Sequence, residues 1–170
     1  KLENLKNSIM KYNIYIFISS FLFLSCKEKP NCCFVYDTII YIQFKDSIGR
    51  DLLDQTKVFA YKFDSMKHYF LSNSIKKEVF YGTADFPKQM YLTKTTDSTN
   101  RLTFFPETMN RRDGINTYYD YLTLNSTDED TIKCEMLTNS SSITIKKIWY
   151  NDSLVYTKGI QPSMYFIITK

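Results

Sequence analysis

The chain has 170 residues, with 22 Lys and Arg against 18 Asp and Glu and a formal net charge of +4. That near-balance supplies no clustered basic face of the kind nucleic acid requires. A multi-histidine metal site or a conventional Ser-His-Asp relay would have to rest on His68, the single histidine. Fourteen Tyr and thirteen Phe against four Gly and four Pro favour pleated sheet.

The first element is the run "MKYNIYIFISSFLFLSCKEKP", Met10 to Pro30. Lys11 gives a positive start, Ile14 to Leu24 is almost wholly apolar, and Ser25 is a small residue directly before Cys26, the three-part layout of a secretory signal. The run is shorter than the roughly 20 apolar residues a spanning helix needs. The pattern Leu22-Phe23-Leu24-Ser25-Cys26 resembles the lipobox of bacterial lipoproteins. That resemblance implies a Cys26 thiol that is acylated and becomes the new N-terminus. The expected organisation is upstream residues and a signal-peptide helix over 1–25 with the start at Met10, a lipidated tether over 26–33, and a β domain over 34–170. From Cys26 onward 19 basic side chains face 17 acidic ones, or +2. About 145 residues suit one domain with one core.

Next, "FVYDTIIYIQFKD" alternates, with Phe34, Tyr36, Thr38, Ile40, Ile42 and Phe44 on one face, and predicts a single strand that ends in a turn around Gly49. Strands are then predicted in "KVFAYKF", "KEVFYGTA", "KQMYLTK" and "RLTFFPE", each bounded by turn residues. "DLLDQ" and "DSMKHYFLS" read as short helical turns. "TYYDYLTLN", an acidic turn "STDED" and "TIKCEML" predict a hairpin with Ile132, Cys134 and Met136 inward. "SITIKKIWYN", a tight turn near Asn151-Asp152, "SLVYTKG" and "SMYFIITK" complete the series of short strands expected of an all-β, two-sheet antiparallel β-sandwich.

The leader, the segment "IQFKDSIGRDLL" and the later "YLTLNSTDEDTIKCEM" with "ITIKKIWYNDSLVY" resemble the small, functionally unassigned lipoproteins of Bacteroidetes. The resemblance implies an immunoglobulin-like or transthyretin-like sandwich and an envelope address, and it carries no active site.

Candidate chemistry is sparse. His68, beside Met66, Tyr69 and Phe70, suits a surface or partly buried packing role. No Gly-rich phosphate loop is present. Cys32, Cys33 and Cys134 would meet an oxidising compartment; either a disulfide joins Cys134 to Cys32 or Cys33, with the pair Cys33 and Cys134 the choice made here, or all three are reduced core residues. The spacing gives no CxxC pair for zinc. The acidic run Asp128-Glu129-Asp130 near Asn125 and Asp120 lacks the ladder of a calcium loop and reads as a solvated turn. No metal and no cofactor are expected.

Surface aromatics are more suggestive. Tyr118, Leu122 and Leu124 are expected inward, which turns Tyr119 and Tyr121 outward as a platform that Trp149 would join, subject to a bulge at Lys146-Lys147. The competing expectation is that these rings are buried or scattered. Six copies of Asp-Ser/Thr followed by an aliphatic residue, Met or Thr place hydroxyls at Thr38, Ser47, Ser65, Ser98, Thr131 and Ser153. The motif is similar to the O-glycan acceptor of exported Bacteroidetes proteins, and ordinary turn chemistry is its alternative. Together these features predict a lipoprotein anchored to the outer membrane through lipid on Cys26, on the periplasmic side or at the surface. Its role would be non-catalytic binding of a glycan or protein partner, without nucleic acid; the alternative is a structural subunit that pairs an edge strand.

Overall fold

The structure, a computed structural model, describes residues 34–108 and 112–170. The expected signal helix, Cys26, Cys32 and Cys33 lie outside them. Residues Phe34–Lys170 form a compact unit that is all-β, and no helix among the described residues is long and apolar enough to cross a membrane. Its strands are β1 (Val35–Asp37), β2 (Ile40–Lys45), β3 (Lys67–Ser72), β4 (Ile75–Glu78), β5 (Met90–Lys94), β6 (Asn100–Phe104), β7 (Gly114–Asn125), β8 (Asp128–Thr138), β9 (Ser142–Tyr150), β10 (Ser153–Thr157) and β11 (Tyr165–Thr169).

Two sheets result. The larger has the order β1-β9-β8-β7-β3-β4 with β10 also on β9, and the smaller runs β11-β2-β6-β5. Both are mixed, which corrects the antiparallel expectation: β1 lies parallel to β9, and β2 parallel to β11. Hairpin reading could not supply these pairs, because parallel partners are never joined by a tight turn.

The predicted first strand is in fact two. Thr38, Ile40, Ile42 and Phe44 are buried as the alternation requires, but Phe34 and Tyr36 are 38% and 54% exposed. Between Asp37 and Ile40 the chain leaves the larger sheet and joins the smaller one. The inward residues of both sheets then close one core. Rings meet across it, with Phe44 6.3 Å from Tyr150 and His68 4.5 Å from Phe104, so the arrangement is sandwich-like.

Other differences have local causes. "KVFAYKF" forms turns, with Val58 97% exposed. Gln55 supplies there the hydrogen bonds a neighbouring strand would give, donating to Leu53 O and Tyr61 O and accepting from Phe63 N. "KEVFYGTA" is strand only through Glu78. "DSMKHYFLS" holds a single 3-10 turn at Phe63–Ser65 and then β3, held between β4 and β7. The acids of "STDED" belong to β8 rather than to the turn, which is closed one step earlier by Asn125 Oδ1 accepting from Thr127 N and Asp128 N, both at 2.9 Å.

The later strands follow the reading. Leu122, Leu124, Ile132, Cys134 and Met136 are fully buried. The bulge falls at Lys146, where Glu135 pairs with Lys147 and Met136 with Ile145. Asn151 and Asp152 have φ of 45° and 65°, the left-handed pair of a two-residue hairpin turn.

Candidate functional site

The outer face of the larger sheet collects the predicted platform. β7 alternates so that Leu122 and Leu124 enter the core, which sends Tyr119 and Tyr121 to the opposite face. The bulge at Lys146 re-phases β9, and Trp149 emerges on that face opposite Lys133, which in turn lies opposite Tyr119. Tyr121 sits opposite Tyr69 of β3. Tyr119 and Tyr121 are thus two residues apart on one strand, about 7 Å, while Trp149 is two strands away, about 10 Å.

The platform is laced with lysine. Lys133 Nζ lies 4.5 Å from the Trp149 ring, and Lys76 Nζ lies 4.8 Å and 4.7 Å from the rings of Tyr69 and Tyr121. Such contacts at exposed sites stabilise by about 0.5–1 kcal/mol each. They are weak enough for a ligand to displace and place donors beside the rings of Tyr69, Tyr121 and Trp149; Tyr119 is 40% exposed.

Tyr119 also lines a cleft of about 590 Å³. Its origin is a mismatch of strand lengths: β3 covers only Asp120–Thr123 of the 12-residue β7, so the edge from Gly114 to Tyr119 has no β3 partner. Arg112, Asn116, Tyr118 and the β3–β4 turn at Asn73 and Ser74 complete the walls. The Tyr118 hydroxyl is buried without a hydrogen-bond partner among the described residues.

His68 departs from expectation. It is fully buried, with Nε2 2.8 Å from Asp120 Oδ1 and Nδ1 3.1 Å from the Lys88 carbonyl oxygen. That carbonyl can only accept, so Nδ1 carries a proton. Burial pushes the Asp120 carboxyl up, opposed by its bonds to His68 and the Glu107 N–H. Asp120 occupies an inward position between Tyr118 and Leu122, and that alternation was the signal in the sequence that it needed a buried partner.

The acidic run is not a solvated turn. Lys170 Nζ reaches Asp128 Oδ1 at 2.7 Å and Asp130 Oδ2 at 2.6 Å; Tyr61 donates to Asp128 at 2.6 Å, and Tyr150 and Asn151 donate to Asp130. Burial first, and then the adjacent carboxylates, push both phenols up. Glu129 points outward to Lys76 and Thr123. No cluster of metal-ligating side chains occurs among the described residues.

Cys134 is a free, fully buried thiol, and burial pushes it well up. Its expected partners Cys32 and Cys33 lie outside the described residues, and β1, the strand that follows them, joins the same sheet as Cys134. Of the six Asp-Ser/Thr hydroxyls, Ser47, Ser65, Ser98 and Ser153 are exposed, Thr131 is half-buried, and Thr38 is buried. Turn chemistry accounts for several: Asp46 Oδ1 accepts from Ile48 N and Arg50 N, and Asp97 Oδ1 accepts from Thr99 N and Oγ1.

Comparison of the chain with protein-family models, with curated proteins and with solved structures gives no match.

Proposed function

We propose that the protein is a lipid-anchored envelope lipoprotein, attached through Cys26 to the outer membrane, whose domain is a non-catalytic module that binds a glycan. The observation that carries the binding role is the placement of Tyr119, Tyr121 and Trp149 on one outer sheet face with Tyr119 at the lip of the cleft. Tyrosine and tryptophan rings offer an apolar face with a polar handle, and the lysines between them supply donors for ligand hydroxyls. His68 adds to the non-catalytic reading, since both its nitrogens are engaged in the core. Within this proposal the sandwich is of the immunoglobulin-like or transthyretin-like kind. The test is a glycan array probed with the full chain and with the Tyr119→Ala/Tyr121→Ala variant. Binding that vanishes in the folded double variant supports the module; an array with no bound glycan overturns it.

The exposed Ser47, Ser65, Ser98 and Ser153 are proposed carriers of O-glycans in the native host, and the buried Thr38 is not. Intact-mass measurement should show a shift that disappears stepwise with Ser→Ala at those four sites.

A second reading has its own support: β11 is the edge of the smaller sheet and carries Ile167, which is exposed. An assembly subunit would pair through that edge. Phe166 is buried and Lys170 holds the acidic cluster, so removing the strand would unfold the domain, and Ile167→Lys is the cleaner probe. Loss of assembly in sedimentation by that variant would favour the subunit; an unchanged monomer would dismiss it.

A further inference from the structure

The outer face of the smaller sheet is built differently. Its four strands, IYIQFK, MYLTK, NRLTF and YFIIT, contain Lys45, Lys94 and Arg101 and no acidic residue. Ile40, Ile42, Phe44, Leu102 and Phe104 fill the core, which turns Tyr41, Gln43, Arg101, Thr103 and Tyr165 outward.

Two of these outward residues are nevertheless hidden. Thr103 is fully buried between Tyr41 and Tyr91, its hydroxyl 2.7 Å from that of Thr93; Gln43 is 2% exposed, and the Arg101 guanidinium, on the strand to one side of it, lies 4.3 Å from the centre of the Tyr165 ring, on the strand to the other. Gln43 Oε1 accepts from the Tyr165 hydroxyl at 2.8 Å. Gln43 Nε2 and Arg101 Nε, both donors, are buried with no acceptor among the described residues. A buried donor left unpaired is a cost that native structures seldom carry without reason. Among the described residues no carboxylate forms a salt bridge with Arg101; Asp97, in the β5–β6 turn, is hydrogen-bonded by Thr95 and Thr99 and feels the Arg101 charge without contacting it.

We propose that this face binds a carboxylated sugar of the uronic-acid type, its carboxylate drawing the Arg101 guanidinium off the Tyr165 ring, which uncovers Gln43 Nε2 as a second donor and frees Tyr165, with Tyr41, to meet the sugar ring. The missing acceptor is an anionic oxygen, and a guanidinium fork matches a carboxylate with two parallel bonds. The occupant is a small polyol rather than a peptide strand because β2 and β6 are interior strands. Their backbone groups are already spent on β11, on each other and on β5, so recognition must come from side chains alone.

The site is independent of the Tyr119 platform and is tested independently, by calorimetric titration of the full chain with D-glucuronate and, as the neutral counterpart, D-glucose. Glucuronate should bind and glucose should not. Arg101→Gln should weaken glucuronate by about tenfold or more, and Arg101→Lys should weaken it nearly as much because a point charge lacks the fork. The unfolding midpoint, read in parallel, establishes that each variant is folded. The proposal is overturned if glucuronate fails to bind the wild-type chain, if glucose binds equally well, or if a folded Arg101→Gln variant retains wild-type affinity.

Discussion

His68 and Asp120 are 52 residues apart in the chain and 2.8 Å apart in the core, each enclosed from solvent. Asp120 also accepts from the Glu107 N–H at 3.0 Å, so Asp120→Ala leaves two buried donors unpaired. The expected cost is about 3–5 kcal/mol, read from urea unfolding. Asp120→Asn keeps an acceptor and should cost less. The pH dependence has a definite sign. The folded carboxyl lies above its ordinary 3.8 because of burial, so its contribution is complete below that value and is lost as pH rises through the folded value. The stability advantage of wild type over Asp120→Asn should therefore shrink from acid toward neutral pH. His68, Glu107 and Cys134 are the other titratable groups around it, and an advantage that grows with pH would contradict this assignment.

Lys170 is the cation of the Asp128 and Asp130 cluster, and Asp130 is almost fully enclosed. Lys170→Met should cost about 3 kcal/mol by stranding a buried carboxylate. Adding Asp130→Asn should recover a large part of that loss, which a double-mutant cycle will read as coupling. Millimolar calcium should leave the wild-type unfolding midpoint unmoved, because these carboxylate oxygens already have their partners.

The Asn151-Asp152 turn offers a stabilising change. Asp152 is left-handed and exposed, so Asp152→Gly should raise stability by about 0.5–1 kcal/mol in thermal unfolding. Asn151→Ala should lower it by about 1–2 kcal/mol, since Asn151 accepts from Thr131 N at 2.7 Å and donates to Asp130 Oδ1 at 2.6 Å.

Cys134 should resist alkylation in the native protein. Its thiol is enclosed and burial pushes it well up, and the thiolate is the reactive species. Mass spectrometry after iodoacetamide should find Cys134 unmodified before denaturation and modified afterwards; rapid native labelling would mean that β8 opens.

Period-2 alternation located the inward residues of β7 and β8 because those long strands have one wet face and one dry one, and a shift of one residue would reverse them. The same rule failed at β3, where the buried residues His68 and Ser72 are polar and the apolar Met66 lies just before the strand. It also merged β1 with β2, since a strand that changes sheets keeps its rhythm while its partners change. The platform was legible as three outward rings. The cleft was not, because it arises from how far β3 runs along β7. The Arg101–Gln43 arrangement was equally hidden, since it depends on a β2–β6 pairing 58 residues apart in sequence.

The parallel pairing of β2 with β11 has a mechanical consequence. Its register runs from Tyr41 beside Tyr165 to Lys45 beside Thr169. Tension applied between Phe34 and Lys170 therefore pulls the two strands lengthwise past each other. Five rungs are loaded at once, where a hairpin pulled from its open end would unzip one bond at a time. Phe44 and Phe166, on the inner side of these strands, would have to be drawn through packed core as the rungs fail. A domain with this wiring yields abruptly at high force and stays whole below it.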